Sequence, residues 1–163
     1  MDRMDFGRVA KCHEINEKLL AELFIKAAEK ITDPTLKGAI LFLAYDSRKH
    51  AEVFHELARE YGVYELDEAE CARYTGVGYG FMGLLKSLIK RIEEAKTEGE
   101  VIDALKNIEA IEVGLAGLDR MVMIDGLEDE GMRKLYKVIL EYIERDEEEH
   151  ENILRRLLEK YNK

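Results

Sequence analysis

Apolar residues recur every three or four positions along most of the chain, the period of helices that bury one face. The first seam, Leu20, Phe24, Ala27 and Ile31, predicts a helix from about Val9 to Lys30. Thr32-Asp33-Pro34 then restarts the chain, because Asp33 suits a helix cap and Pro34 the first helical position. A second long helix carries Ile40, Leu43, Ser47, His50, Phe54 and Leu57 to about Tyr61, where Gly62 is a good left-handed terminator. Asp67 with Glu70 forms a capping box for a short helix that includes Cys71 and ends near Gly76. Gly76-Val77-Gly78-Tyr79-Gly80 reads as a flexible joint, followed by a helix from about Phe81 to Lys96. Thr97 and Glu100 open the third long helix, whose seam keeps heptad spacing through Val101, Leu105, Ile108, Glu112, Leu115, Asp119 and Val122. Asp125-Gly126 ends it, and a fourth runs from about Glu128 to Tyr161. No stretch alternates for long enough to build a sheet, so the expected fold is all-α, in a single domain over residues 1–163.

The four long seams share one anomaly. Each carries an ionisable group where the pattern demands hydrocarbon: Glu17 in the first, His50 in the second, Glu112 in the third, Glu147 and His150 in the fourth. Buried without partners, such groups would cost several kcal/mol, on the order of 2–7 for a polar group alone. A cation between them would remove that cost. Glu147 and His150 are the sharpest pair, because a three-residue step lets both side chains approach one ion from the same side. Taken singly, Glu17 and Glu112 read first as boundary residues reaching solvent, and His50 as a satisfied core histidine; it is their joint occurrence that points to a metal. Glu148 and Glu149 read as a solvated acidic face.

The second and fourth helices also echo each other. At an offset of 100 positions, Asp46 aligns with Asp146, Ser47 with Glu147 and His50 with His150. Each half is then a helix carrying Glu (Glu17 or Glu112) followed by a helix carrying His.

Composition narrows the function classes. The net charge of -10 argues against nonspecific binding to nucleic acid or to an anionic membrane. No apolar run is long enough to span a bilayer and Met1–Ala10 lacks a signal-peptide core, which leaves a cytoplasmic protein as the expectation. Cys12 and Cys71 form no Cys-x-x-Cys knuckle and are expected as buried, inert thiols. The absence of Gln and Trp, with abundant Glu and Lys, leans towards a thermophile, where a cytoplasmic disulfide remains open.

At these residues the chain resembles the ferritin-like di-iron carboxylate superfamily, and within it the erythrin domain of rubrerythrins. That family places one Glu on each of two helices and Glu-x-x-His on each of the other two. Glu17 and Glu112 match the single positions, and Glu147 with His150 supplies one complete Glu-x-x-His. The Thr32-Asp33-Pro34 turn, the wording Asp46-Ser47-Arg48-Lys49-His50 and the long connection between the second and third long helices fit the same pattern. The resemblance implies a four-helix bundle with a long helical crossover. It implies a metal site of Glu17, His50, Glu112, Glu147 and His150, two iron ions (or Mn or Zn), and Asp46 as a possible sixth ligand. The departures are specific. Ser47 stands where the family has Glu, Phe24 where many relatives have Tyr, and no Cys-x-x-Cys rubredoxin module is present.

The implied activity is a rubrerythrin-like oxidoreductase that reduces peroxide or oxidises ferrous iron, with dioxygen, peroxide or ferrous iron as substrate and electrons from a separate donor protein. A homodimer is expected, with the helix from Phe81 as a contact surface. Two rivals stand beside it. One is a ferritin-like metal-binding protein without turnover. The other is a helical module whose seam groups pair with one another or with Arg48 and Arg145. His13 is one turn before Glu17 on the same face and is only a minor candidate for an accessory ligand near the bundle end; His55 lies off the seam and is expected in solvent.

Overall fold

In a computed structural model, residues 3–74, 78–106, 108 and 130–161 are described. They form helices α1 (Arg3–Lys30), α2 (Pro34–Glu60), α3 (Glu68–Tyr74), α4 (Gly78–Glu94), α5 (98–106) and α6 (Glu130–Tyr161), with no strand among them. The all-α expectation holds for this set. None of these helices is long and apolar enough to cross a membrane.

The helix ends follow local chemistry. Asp33 caps α2, its carboxylate accepting from the Leu36 amide at 2.8 Å, with Pro34 at the first position. At the other end of α2, Gly62 takes φ +77 while its amide donates to Arg59 and that of Val63 donates to Ala58, each at 2.9 Å. This is the double carbonyl closure that a left-handed glycine permits. Both capping boxes close: the Glu70 amide donates to Asp67 at 2.8 Å, and the Glu100 amide to Thr97 at 3.2 Å. The glycine-rich joint is shorter than expected, because Gly78, Tyr79 and Gly80 already belong to the first turn of α4.

Two large apolar clusters, with a small third one around the cysteines, pack the helices together. The larger joins Leu23, Phe24 and Ala27 of α1 to Ile40 and Leu43 of α2, Leu85 and Ile92 of α4, Val101 and Leu105 of α5, and Leu154 of α6. The smaller joins Phe6 and Val9 to Phe54, Leu57, Val63, Tyr136 and Leu140. Each fully buried Leu or Phe contributes roughly 1.5–3 kcal/mol, so these clusters outweigh the caps, worth about 1 kcal/mol each. Phe81, Leu85, Leu88 and Ile92 of α4 are buried inside this core.

The turn after α2 packs tightly on α1. A Cβ at Gly7 would lie 2.7 Å from Tyr61 Cβ and 2.9 Å from Val63 Cγ2. Gly7→Ala is therefore expected to destabilise by about 1–3 kcal/mol, read as a lower urea midpoint. An unchanged midpoint would show that this turn yields without cost.

The cysteines correct the sequence expectation. Cys12 on α1 and Cys71 on α3 are joined in a disulfide across 59 residues, fully buried beside Met82. The capping box that starts α3 sets Cys71 against α1, with Cα atoms 5.5 Å apart, a spacing that permits the bond.

Candidate metal centre

Between the two apolar clusters lies a polar layer. On α1, the apolar Ala10 and Leu20 flank Glu14 and Glu17; on α2, Leu43 and Phe54 flank Ser47 and His50; on α6, Leu140 and Leu154 flank Glu147 and His150. His50 is 0% exposed, His150 and Ser47 are 1%, and Glu17 is 7%. The structure thus brings Glu17, His50, Glu147 and His150 to one depth. Glu112 lies outside the described residues.

Glu147 is the hub. Its Oε1 is 2.8 Å from His50 Nδ1 and its Oε2 is 3.5 Å from His150 Nδ1, while Glu17 Oε1 is 3.8 Å from His50 Nδ1. The imidazole rings stack at 5.9 Å between centroids and 28° between planes. One donor atom from each of Glu17, His50 and Glu147 lies within 4.8 Å of the others.

The far side of each ring is tied to an aspartate from the opposite helix. His50 Nε2 meets Asp146 at 3.2 Å, and His150 Nε2 meets Asp46 at 2.8 Å. The pairing is reciprocal: each aspartate crosses to the histidine of the other helix. Burial acts to raise both aspartyl carboxyls, but Lys49 and the histidines more than offset it and hold them below their ordinary range. Lys49 bridges the two, 2.8 Å from Asp146 and also paired to Asp46.

Those outer pairs decide what the inner nitrogens are. An ionised carboxylate only accepts, so each Nε2 carries the hydrogen and, in a neutral ring, Nδ1 presents a lone pair. His50 Nδ1 and Glu147 Oε1 are then two acceptors 2.8 Å apart, and neither is in hydrogen-bond geometry. Two acceptors at that distance require a cation between or beside them: a proton on the ring, or a metal ion. Carboxylate and imidazole donors suit Fe, Mn and Zn, and carboxylates behind metal-binding histidines set the ring orientation in such sites. The donor set fits a divalent transition metal.

Glu147 also has a large acidity shift. Burial pushes its carboxyl up, but the imidazoles of His150 and His50 together win and bring it down to about 2. It stays a carboxylate, as a ligand must.

The outer group of Asp46, His50 and Asp146 also has metal-like spacing. There the Lys49 ammonium already supplies the positive charge, so the inner group is the stronger candidate. Asp46 accordingly sits behind His150 rather than beside Glu147.

Four other residues bear on the sequence expectations. His13 stacks on Phe54, 4.9 Å between centroids. His55 is half-buried and meets Glu14 at 3.1 Å instead of standing in solvent. Arg145 lies over the Tyr142 ring, at 4.8 Å, and Arg48 is exposed.

Glu14 was not anticipated. It is 1% exposed, with Lys11 at 2.7 Å, Lys18 at 2.5 Å and His55 around its carboxylate. The spacing Lys11, Glu14, Lys18 was the available signal, since both lysines fall within one turn. Burial acts to raise this carboxyl, and Lys11 and Lys18 outweigh it, so its pKa falls below 4.5. A depressed folded value means stability that is present above the unfolded pKa and is lost as pH falls through the folded one. Glu14→Gln is expected to flatten the acid limb of stability below about pH 4.5, measured by urea unfolding across pH 2–7. An identical acid limb would assign that loss to other carboxylates.

No family model, curated protein or solved structure matches the chain.

Proposed function

We propose that the protein is a rubrerythrin-like, metal-dependent oxidoreductase of ferritin-like architecture, with α3 and α4 as the crossover of a four-helix bundle. Glu17, His50, Glu147 and His150 would hold iron, with Mn or Zn as alternatives, and Glu112 would complete the set from outside the described residues. The observation that carries this reading is the inward pair of acceptors, His50 Nδ1 and Glu147 Oε1, 2.8 Å apart in a layer closed by hydrocarbon on both sides.

Bound iron would supply reversible one-electron chemistry towards peroxide or dioxygen. The chain's own part is placement. Asp146 and Asp46 hold the two rings with Nδ1 inward, Glu147 sets their spacing, and the apolar clusters limit access of water. Among the described residues of the site, no side chain is placed as an independent nucleophile. Electrons would come from a separate protein, since both cysteines are committed to a disulfide.

The test is anaerobic loading with ferrous iron followed by peroxide. The expected result is at least one iron per chain, oxidised by peroxide faster than iron in buffer. Failure to retain iron, Mn or Zn would overturn the reading. Retained iron that peroxide leaves ferrous would select the second reading, metal binding without turnover. Ser47 favours that alternative, because a hydroxyl replaces the carboxylate found at its counterpart, Glu147.

A further inference from the structure

Ser47 is the position where the two halves of the site differ. It falls on the buried seam of α2 between Leu43 and His50, three residues before the histidine, as Glu147 stands three residues before His150. It is 1% exposed, yet its Oγ has no hydrogen-bond partner, not even the carbonyl one turn back that helical serines commonly use. A buried hydroxyl without a partner is destabilising, and the fold carries one there with nothing to satisfy it. On the opposite helix, the equivalent position sends a carboxylate between both imidazoles. The reciprocal pairs Asp46–His150 and Asp146–His50 show that the rest of the arrangement keeps its two-fold relation.

We propose that a small monocarboxylate-type anion from solvent, of the formate, acetate or bicarbonate class, occupies the place a glutamate at position 47 would fill, completing the bound cation's coordination and accepting a hydrogen bond from Ser47 Oγ. This rests on the metal-site reading above. Size is set by the substitution: serine lacks the carboxylate and one methylene of glutamate, so formate fits best, acetate next and larger acids are excluded. Order of binding follows from charge. Without a cation the surrounding Glu17, Glu147, Asp46 and Asp146 repel any anion, so the cation binds first. An anion of this kind then takes a position that water would otherwise hold.

The experiment uses the full chain and Co(II), whose visible absorption reports coordination, with sodium formate, acetate, bicarbonate and propionate against sodium chloride at constant ionic strength. Formate is expected to change the Co(II) spectrum and raise the apparent Co(II) affinity at least tenfold, with acetate weaker and propionate inert. Without Co(II), formate should leave the thermal transition where chloride leaves it. Ser47→Ala is expected to keep Co(II) binding and weaken the formate response five- to tenfold. Ser47→Glu should abolish the response while binding Co(II) as tightly as the native chain does with formate. Co(II) binding with a spectrum indifferent to every anion would overturn this inference and leave the metal site standing. Absence of Co(II) binding under all conditions would overturn both.

Discussion

Glu147→Gln is expected to lower Co(II) or Fe(II) affinity by more than about 100-fold, the upper end of what loss of a supporting carboxylate alone costs. Glu147 approaches the inward nitrogen of both histidines, at 2.8 and 3.5 Å. The substitution keeps its shape and removes its charge. It also supplies an amide NH2 that can donate to the Nδ1 lone pair of His50, satisfying internally what a cation would otherwise satisfy. The variant should therefore fold at least as well as the native chain when metal is absent, and lose most of the stabilisation that added metal gives. Competition titration with a chelator measures the affinity, and thermal unfolding with and without Co(II) checks the linkage. Equal affinity in both proteins would show that Glu147 is a buried partner of imidazolium and no ligand.

Removing the disulfide should have the largest effect on stability. In the chain-entropy account, closing a loop across 59 residues is worth about 4 kcal/mol, within the measured range of roughly 2–5. The double variant Cys12→Ala, Cys71→Ala is expected to unfold about 8–16 °C lower than the oxidised native chain. Reduction of the native chain in moderate urea should give the same loss, whereas reductant alone should act slowly, because both sulfurs are fully buried beside Met82. Metal affinity should change little, since Glu17, His50, Glu147 and His150 stand on α1, α2 and α6 while the bond fastens α3. Matching unfolding curves for oxidised and reduced protein would remove the disulfide from any stabilising role.

The helices were legible because helical period, capping boxes and the Asp33-Pro34 restart all pointed the same way. Gly62 was readable as a terminator because its backbone conformation is local. The bond between Cys12 and Cys71 was not readable, since nothing in a 59-residue separation says which way α3 returns to α1. Within the site, Glu147 and His150 stood out through breaks in an apolar seam. Asp146 was visible as an echo of Asp46, but pattern alone could not show that each aspartate crosses to the other helix's histidine. That crossing depends on the antiparallel register of α2 and α6. Glu14 escaped because a lysine-flanked glutamate looks like surface until a neighbouring helix closes over it, and His55 escaped with it.

The placement of that layer has a mechanical consequence. Hydrocarbon above and below it is bound into two separate blocks, with Glu17, Ser47, His50, Glu147 and His150 as the plane between them. Dehydrated of its ion, that plane is where the rods are least attached to one another, so amide protons around Glu17, His50 and Glu147 should exchange with deuterium ahead of those at Phe24 or Leu57. Once a cation is seated, the same plane becomes a rivet, and the two blocks should loosen as one body instead of two.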